Sequence, residues 1–436
     1  MELMFQSEKE FALATVEKGG RLYRVGGSIR DEIRGVKAKD DDYCVTGFSN
    51  KTFLNAFPNA HQVLDKNGKK TIDMFLLKVN GKTVEVALAR TEIMIEDSDD
   101  GYHAFEFHAD EDITIEMDLY RRDMTINSIA KDLLTGEYID PYGGIQDIKD
   151  KVLRATSDAF YEDPTRVYRV AVRYAKDEGY EVEERTKVMM KKASRKLDKV
   201  AVNRVVNELE KALLSPRPDK FFRLLQEVDV LDIHYPWVNN LVGVIQPEEH
   251  HPEGDAFEHT MRTLLSMRQQ SEKVEEIFSM LTHDFGKYLT PLEKRPAHHG
   301  HEKAGVPLVN EMCDALKLPR SWRRAALFAT EYHGKFHALG EMRIGKVVDL
   351  LVKAERTPLK IEGFARVGLA DTRGKKDPNA THPNTKFALL AKAELLKAKP
   401  NLSLKGIAVG EDMRRQQIGD VKKLKKHLIE TCELKA

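Results

Sequence analysis

Two hydrophobic periods divide the chain. Between Arg21 and Asp140, short apolar runs alternate with polar positions or end at turn residues, the period-two habit of strands. RLYRVGG (21–27) reads as a short strand entering a glycine turn, SIRDEIRG (28–35) as a helix stopped by Gly35, and DDYCVTG (41–47) as the next strand. TIDMFLLKVNGKTVEVALAR (71–90) reads as a hairpin turned at Asn80-Gly81, since a type I′ turn needs two residues that tolerate positive φ. DPYGG at 140–144 closes this region. From Ala159 onward apolar residues recur at three and four, as in VYRVAVRYA and NELEKALL, which predicts a mainly helical remainder. A second break falls at IQPEEHHPEGD (245–255), where prolines and a glycine interrupt the helices before a histidine-rich stretch.

Length and composition fit this division. A chain of 436 residues exceeds one ordinary core, so two or three domains are expected. With 41% hydrophobic and 32% charged residues the chain is globular and rich in amphipathic helix, which excludes a disordered chain. It contains no apolar run long enough to span a membrane, and the early acids of MELMFQSEKE do not form a secretion signal, so a cytoplasmic protein is expected. Cys44, Cys313 and Cys432 are scattered and odd in number, which suits a reducing compartment and offers no metal-binding spacing.

The formal net charge is zero, so any polyanion site must come from local asymmetry. Glu92 to Asp118 holds eleven acids and no Lys or Arg, whereas Arg185 to Arg223 holds twelve bases against four acids, and Lys386 to Lys435 twelve against six. Taken alone, each run reads as a solvated helix face.

Two constellations carry chemistry. In the first, Gly26-Gly27-Ser28-Ile29-Arg30 places glycines where a strand gives way to a helix, so backbone N–H groups can face an anion and Arg30 can add a charge. By itself this is also a tight strand-to-helix connection. Asp40-Asp41-Asp42 opens the next strand, where residues two apart share a face, so Asp40 and Asp42 converge while Asp41 points away. Two carboxylates beside a phosphate cradle suit a pair of Mg²⁺ ions that activate a hydroxyl and neutralise a transferring phosphoryl group. Glu85, in the alternating run Val84-Glu85-Val86, is the candidate third carboxylate or else an exposed strand position.

GGSIRD followed by KDDDYCVTG resembles the signature of the polymerase-beta superfamily, in the class of CCA-adding enzymes and bacterial poly(A) polymerases. RRDMTIN (121–127) is similar to that family's RRDxTIN motif, and EDPTR (162–166) to its EDxxR motif, so the resemblance runs from about residue 21 to 215. It implies that Gly27, Arg30 and Arg122 hold the nucleotide, that Asp40 and Asp42 hold the metals, and that Asp163, Arg166 and Arg169 select the base or contact the primer. Asp163 and Arg166 are expected three apart on one helix face, where a carboxylate can accept from an exocyclic amine while a guanidinium donates to the adjacent ring nitrogen. Cytosine and adenine present that order, uracil and guanine the reverse. Out of context such a pair is an intrahelical salt bridge. Arg173 is displaced by one from the family's Arg-aromatic sequence and is not carried over, Asn203-Arg204 stands where the family has Glu-Arg, and the acidic 92–118 segment falls where the family has a mobile loop.

In the second constellation, nine of the fifteen histidines lie between His250 and His337. His259, His283-Asp284 within LTHDFGK, and Asp371 can bring imidazole and carboxylate ligands from separate helices to one divalent metal that activates water for hydrolysis. The order H…HD…D resembles the HD phosphohydrolase superfamily. His298, His299, His301 and His333 can ligate a second ion, orient phosphate or cap helices, and Lys287 can steady a substrate phosphate. In HD-bearing bacterial CCA-adding enzymes the attached domain is associated with phosphatase and 2′,3′-cyclic phosphodiesterase activity, so the resemblance implies the same here, with Ni²⁺, Mn²⁺ or Mg²⁺.

The expected fold is α+β: a polymerase-beta-like nucleotidyltransferase head with a small mixed sheet over 1–145, an all-helical nucleotide-selecting and tRNA-binding region over 146–245, a helical HD domain over 246–375, and a basic helical tail over 376–436. The expected activity is template-independent addition of CCA to the tRNA 3′ end from CTP and ATP, with the basic runs gripping the acceptor arm by charge and shape. The alternatives are a poly(A) polymerase or partial CC- or A-adding enzyme, and an HD hydrolase whose first half only binds tRNA.

Overall fold

Phe5 opens the described part of the chain, its backbone bridging to Val79. The computed structural model describes residues 5–37, 41–64, 70–95, 104–375, 377–401, 403, 407–431 and 433–434. The chain divides into two units, Met1–Ala201 and Val202–Ala436.

The first unit contains strands β1 (Arg21–Val25), β2 (Asp42–Thr46), β3 (His61–Leu64), β4 (Lys70–Val79), β5 (Lys82–Leu88), β6 (Thr91–Ile95), β7 (Ala104–His108), β8 (Ala130–Asp132), β9 (Tyr138–Ile139), β10 (Val152–Leu153) and β11 (Glu181–Val182). Its helices are α1 (Glu8–Glu17), α2 (Gly27–Ile33), α3 (Asn50–Ala56), α4 (Ile115–Tyr120), α5 (Gly144–Asp150), α6 (Arg166–Lys176) and α7 (Glu184–Ala193). Seven strands form one sheet in the order β3-β4-β5-β2-β1-β8-β9, antiparallel except for the parallel pair β2–β5. The sheet is therefore mixed, as its sequence pattern predicts. The hairpin of β4 and β5 turns at Asn80 (φ 50°) and Gly81 (φ 73°), the left-handed pair that the Asn-Gly signal demands.

β2 buries three consecutive residues, Tyr43, Cys44 and Val45, because both faces of the sheet's centre are covered. On one face Phe11 of α1 and Phe53 of α3 meet Phe5, Phe48, Phe57 and Phe75, with ring centroids 4.6–6.1 Å apart. Tilted and edge-on pairs of this kind add about 1 kcal/mol each beyond their buried area. On the other face Ile115 and Leu119 of α4 cover Tyr23, Val25, Cys44 and Ala130. That second packing brings the residues just after α4 to the β1–α2 turn.

The second unit is helical: α8 (Val202–Leu213), α9 (Pro218–Glu227), α10 (Pro236–Asn239), α11 (Ala256–Gln270), α12 (Val274–Thr282), α13 (His301–Ala315), α14 (Arg320–His337), α15 (Ile344–Glu355), α16 (Lys360–Lys375), α17 (Pro383–Leu395) and α18 (Ile407–Glu430). α11 packs on α16, and α14 on both α12 and α13. A fully buried carboxylate, Glu276 of α12, receives Nε and Nη2 of Arg366 on α16 at 2.6 and 2.7 Å. This bidentate pair fixes the helix that carries Asp371 against the helix that leads to His283. No helix among the described residues is long and apolar enough to cross a membrane.

Candidate nucleotidyl-transfer and metal sites

Asp42 opens β2 with Val25 of β1 as its partner on one side and Glu85 of β5 on the other. Residues directly opposite on neighbouring strands project from the same face, so Asp42 and Glu85 stand side by side, both exposed. Asp40 lies outside the described residues. Asp41 precedes the strand and is approached by Arg24 Nη1 at 3.5 Å, and Arg24 neighbours Val25 in β1, so Asp41 faces away from Asp42.

Gly26 has φ 72° and ψ −138°, a conformation that excludes most L side chains. A Cβ there would lie 3.3 Å from Arg122 Nη1 and 3.5 Å from Asp42 Oδ2, so a guanidinium and a carboxylate approach the same turn. Arg30 is buried, with Nη2 3.4 Å from the position of a Cβ on Gly27. Asn127 ties the two arginines together: its Oδ1 accepts from Arg30 Nη1 at 2.5 Å and its carbonyl from Arg122 Nη1 at 3.4 Å. Burial, then the nearby Arg173 guanidinium, lower the Arg30 pKa.

What aims Arg122 is Asp118, fully buried one turn earlier on α4. Its Oδ2 accepts from Arg122 Nε and Nη2 at 3.1 and 2.8 Å, and its Oδ1 from Arg121 Nε and Nη2 at 3.1 and 2.6 Å. Burial works to raise this carboxyl, but the two guanidiniums prevail and hold it well below the usual carboxylate range. Asp123 does the same for Arg169, whose Nε lies 2.9 Å from its Oδ2.

The EDPTR segment departs from expectation. Asp163 does not sit on a helix with Arg166, because α6 begins only at Arg166 and Asp163 lies in the preceding turn. Its Oδ1 accepts from the N–H and hydroxyl of Thr165 at 3.0 and 2.6 Å, while Arg166 Nη1 donates to the Ala159 carbonyl. Pro164 is the cause, since the residue before a proline avoids the helical region. Both side chains are nonetheless buried at the head of α6. The backbone of the acidic segment pairs as β6 with β7, and residues 96–103 lie outside the described ones.

The second unit assembles every predicted HD residue. His259 on α11, His283 at the end of α12, Asp284 after it and Asp371 on α16 converge: His259 Nε2 lies 2.9 Å from Asp371 Oδ1 and 3.6 Å from Asp284 Oδ2, and His283 Nε2 lies 3.2 Å from Asp284 Oδ2. All four are buried. Two further histidines that the sequence left open approach the other oxygen of Asp284, His301 Nε2 at 3.2 Å and His333 Nε2 at 3.5 Å. Ligand atoms of His259, His283 and Asp284, and those of Asp284, His301 and His333, each lie within 4.8 Å of one another.

The outer nitrogens decide what these inner ones can do. His283 Nδ1 is 2.7 Å from the Met280 carbonyl, His301 Nδ1 is 2.7 Å from the His298 carbonyl, and His333 Nδ1 is 3.2 Å from the carbonyls of Ala329 and Thr330. A carbonyl only accepts, so each Nδ1 carries a proton and each ring turns its Nε2 inward, where the neutral form offers a lone pair. His283 Nε2 is buried without a hydrogen bond, and the Nε2 atoms of His301 and His333 face each other at 3.2 Å. Lone pairs so placed repel unless a cation lies between them, so the residues present fit divalent metal. Glu253 Oε1 holds the outer nitrogens of both His259 (2.7 Å) and His251 (2.8 Å). Burial works to raise the Glu253 carboxyl, but these two hydrogen bonds bring it down to about 2.

A cavity of about 350 Å³ opens on this cluster, lined among others by His251, Lys287, His333, His337 and Lys375. Lys287, expected to hold a phosphate, is engaged with Asp284 Oδ2 and Gln246 Oε1, both at 2.6 Å. His298 bridges Thr290 and the Ile245 carbonyl, a structural role. Gly286, two residues past Asp284, packs directly on α13: a Cβ there would fall 1.9 Å from the His301 carbonyl oxygen.

The first unit has the architecture of a nucleotidyltransferase head of the poly(A) polymerase type. The family described as poly A polymerase head domain matches residues 22–154, and the one described as probable RNA and SrmB-binding site of polymerase A matches residues 179–241. The multifunctional CCA protein of Thioalkalivibrio sulfidiphilus is 35% identical over 418 residues, 93% of this chain and 98% of that one. The chain belongs to this family, the CCA-adding tRNA nucleotidyltransferases. Its fold is similar to a solved CCA-adding enzyme in complex with CTP (TM-score 0.62, 21% identity, 95% of this chain and 88% of that one). It is also similar to the Thermotoga maritima CCA-adding enzyme complexed with tRNA (TM-score 0.61, 19% identity, 97% and 93%).

Sequence reasoning missed Asp118, Asn127 and Glu253. Asp118 had a local signal, an acid three and four residues before two arginines on a helix. Glu253 had none, because its partners are reached by the path of the chain and not by periodicity.

Proposed function

We propose that the first unit transfers CMP and then AMP from CTP and ATP to the 3′ end of tRNA, releasing pyrophosphate. The observation that carries this reading is the side-by-side placement of Asp42 and Glu85 beside a glycine turn that Arg122 also reaches. Asp40, Asp42 and Glu85 would hold Mg²⁺, which lowers the pKa of the attacking hydroxyl and offsets charge on the transferring phosphoryl group. Arg30 and Arg122, linked through Asn127, hold the triphosphate in line, and such positioning is most of what phosphoryl transfer requires. Asp163 and Arg166 read the donor–acceptor edge shared by cytosine and adenine, and Arg169 meets nucleotide or primer. The names of the relatives, which include complexes with CTP and tRNA, support the same assignment. The test is incubation with tRNA lacking its 3′ end and each labelled nucleotide in turn. CTP and ATP incorporation that stops after three residues is expected; long A tracts or no incorporation would overturn the reading.

For the second unit we propose a metal-dependent phosphohydrolase of the 2′,3′-cyclic phosphodiesterase and phosphatase type. His259, His283, Asp284 and Asp371 would hold one divalent ion, and Asp284 with His301 and His333 a second. Such ions activate water and polarise the phosphoryl oxygen. The inward-facing Nε2 atoms of His283, His301 and His333, whose Nδ1 atoms are committed to backbone carbonyls, support this over a purely structural histidine cluster. Turnover of a 2′,3′-cyclic nucleotide with Ni²⁺, Mn²⁺ or Mg²⁺, abolished by Asp284→Ala, is expected. No turnover with any of the three ions would overturn it.

A further inference from the structure

His382 stands immediately before α17 and belongs to neither ligand group, yet it ends a directional chain that reaches Asp371. Its Nδ1 accepts the Asn384 backbone N–H at 3.1 Å. A ring nitrogen that accepts an N–H carries no proton, so the proton of the His382 ring sits on Nε2. That nitrogen is 3.3 Å from His337 Nδ1, which therefore accepts and leaves the His337 proton on Nε2. His337 Nε2 lies 2.5 Å from Asp371 Oδ2. A single backbone amide thus sets the tautomers of two histidines and the partner of one carboxylate oxygen.

From this geometry we infer that His382, acting through His337, is a positioning residue of the HD site that commits Asp371 Oδ2 to the protein and presents Oδ1 to the metal. Asp371 Oδ1 is the oxygen 2.9 Å from His259 Nε2, on the side where the ligand atoms converge, whereas Oδ2 faces His337 and Lys375. A carboxylate free to swing could chelate with both oxygens. One clamped at Oδ2 offers a single oxygen in a fixed place, which is how outer partners tune metal affinity. The clamp comes from the C-terminal helices, because Asn384, the residue that sets the first tautomer, also donates its side-chain amide to the Phe336 and His337 carbonyls at 2.8 and 2.9 Å. α17 thereby fixes both the end of α14 and the proton order of the chain.

The inference rests on the metal-site reading, and the test separates the two. Mn²⁺ binding to the full chain is titrated calorimetrically, with the His259→Ala variant subtracted to isolate this site. His382→Phe keeps a ring beside Phe336 but removes the donor, and should weaken that component about tenfold, at the low end of outer-partner effects. His382→Gln, whose side-chain amide can still donate toward His337 Nδ1, should restore most of it. Nitrogen NMR of histidine-labelled protein should show His337 protonated on Nε2 in the parent and in His382→Gln, and mixed tautomers in His382→Phe, a change that loss of packing alone would not produce. If the parent shows no His259-dependent Mn²⁺ binding, the metal-site reading falls and the inference with it. If binding is present but His382→Phe leaves both affinity and the His337 tautomer unchanged, the inference alone is overturned.

Discussion

Asp42 and Glu85 are opposite one another on the only parallel strand pair of the described seven-stranded sheet, so two carboxylates far apart in sequence occupy adjacent positions on one face. If both hold metal during transfer, Glu85→Gln should lower kcat for CMP addition about 100-fold, roughly 3 kcal/mol of lost transition-state stabilisation, and leave the KM for CTP nearly unchanged. Steady-state incorporation into tRNA ending before its CCA measures this. An unaltered kcat would return Glu85 to the status of an exposed strand residue.

Asp118 offers a pH-dependent test. Its folded pKa is depressed, so the stability it contributes is fully present above the unfolded value of about 3.9 and is lost as pH falls toward the folded one. Asp118→Asn should destabilise the first unit by about 3 kcal/mol at neutral pH, because two partly buried arginines lose their shared anion, and should flatten its stability below about pH 4. Urea unfolding at a series of pH values, followed by a probe in the first unit, decides the matter. The same variant should raise the KM for CTP, since Arg122 loses the partner that aims it.

Glu253 predicts a graded effect at the other site. Glu253→Gln keeps an acceptor for the outer nitrogens of His251 and His259 but removes the charge, and should weaken Mn²⁺ binding about 10-fold. Glu253→Leu removes both and should cost about 100-fold. CCA addition should not change in either variant. Equal affinities in all three proteins would show that the carboxylate only packs.

The Glu276–Arg366 pair should be costly to break and cheap to replace. Glu276→Leu leaves Arg366 without its carboxylate and should destabilise the second unit by about 3 kcal/mol, whereas Glu276→Leu with Arg366→Met should recover most of that loss. Denaturant midpoints of the four proteins of this cycle are the measurement.

Much of this was legible from local signals. The Asn80-Gly81 hairpin, the β1 glycine turn and the His283-Asp284 pair are each written in a few adjacent residues, and the structure has them where the pattern places them. The i, i+3 spacing of Asp163 and Arg166 predicts a shared helix, but the steric effect of Pro164 on the preceding residue overrides it and the helix starts at Arg166. The pairing of Asp42 with Glu85, the closure of His301 and His333 on Asp284, and the chain from Asn384 to Asp371 depend on register and helix packing between distant segments. No short window of sequence encodes those.

Gly286 carries no chemistry and would escape any search for reactive groups, yet the space its missing side chain leaves is filled by the His301 carbonyl oxygen. Even a methyl group at this position would wedge apart the turn that bears Asp284 and the first residue of α13, and so separate the two proposed ligand groups that share Asp284. A saturation survey of this unit, scored by hydrolysis, should find position 286 as intolerant as position 284, a silent residue with the mutational profile of a ligand.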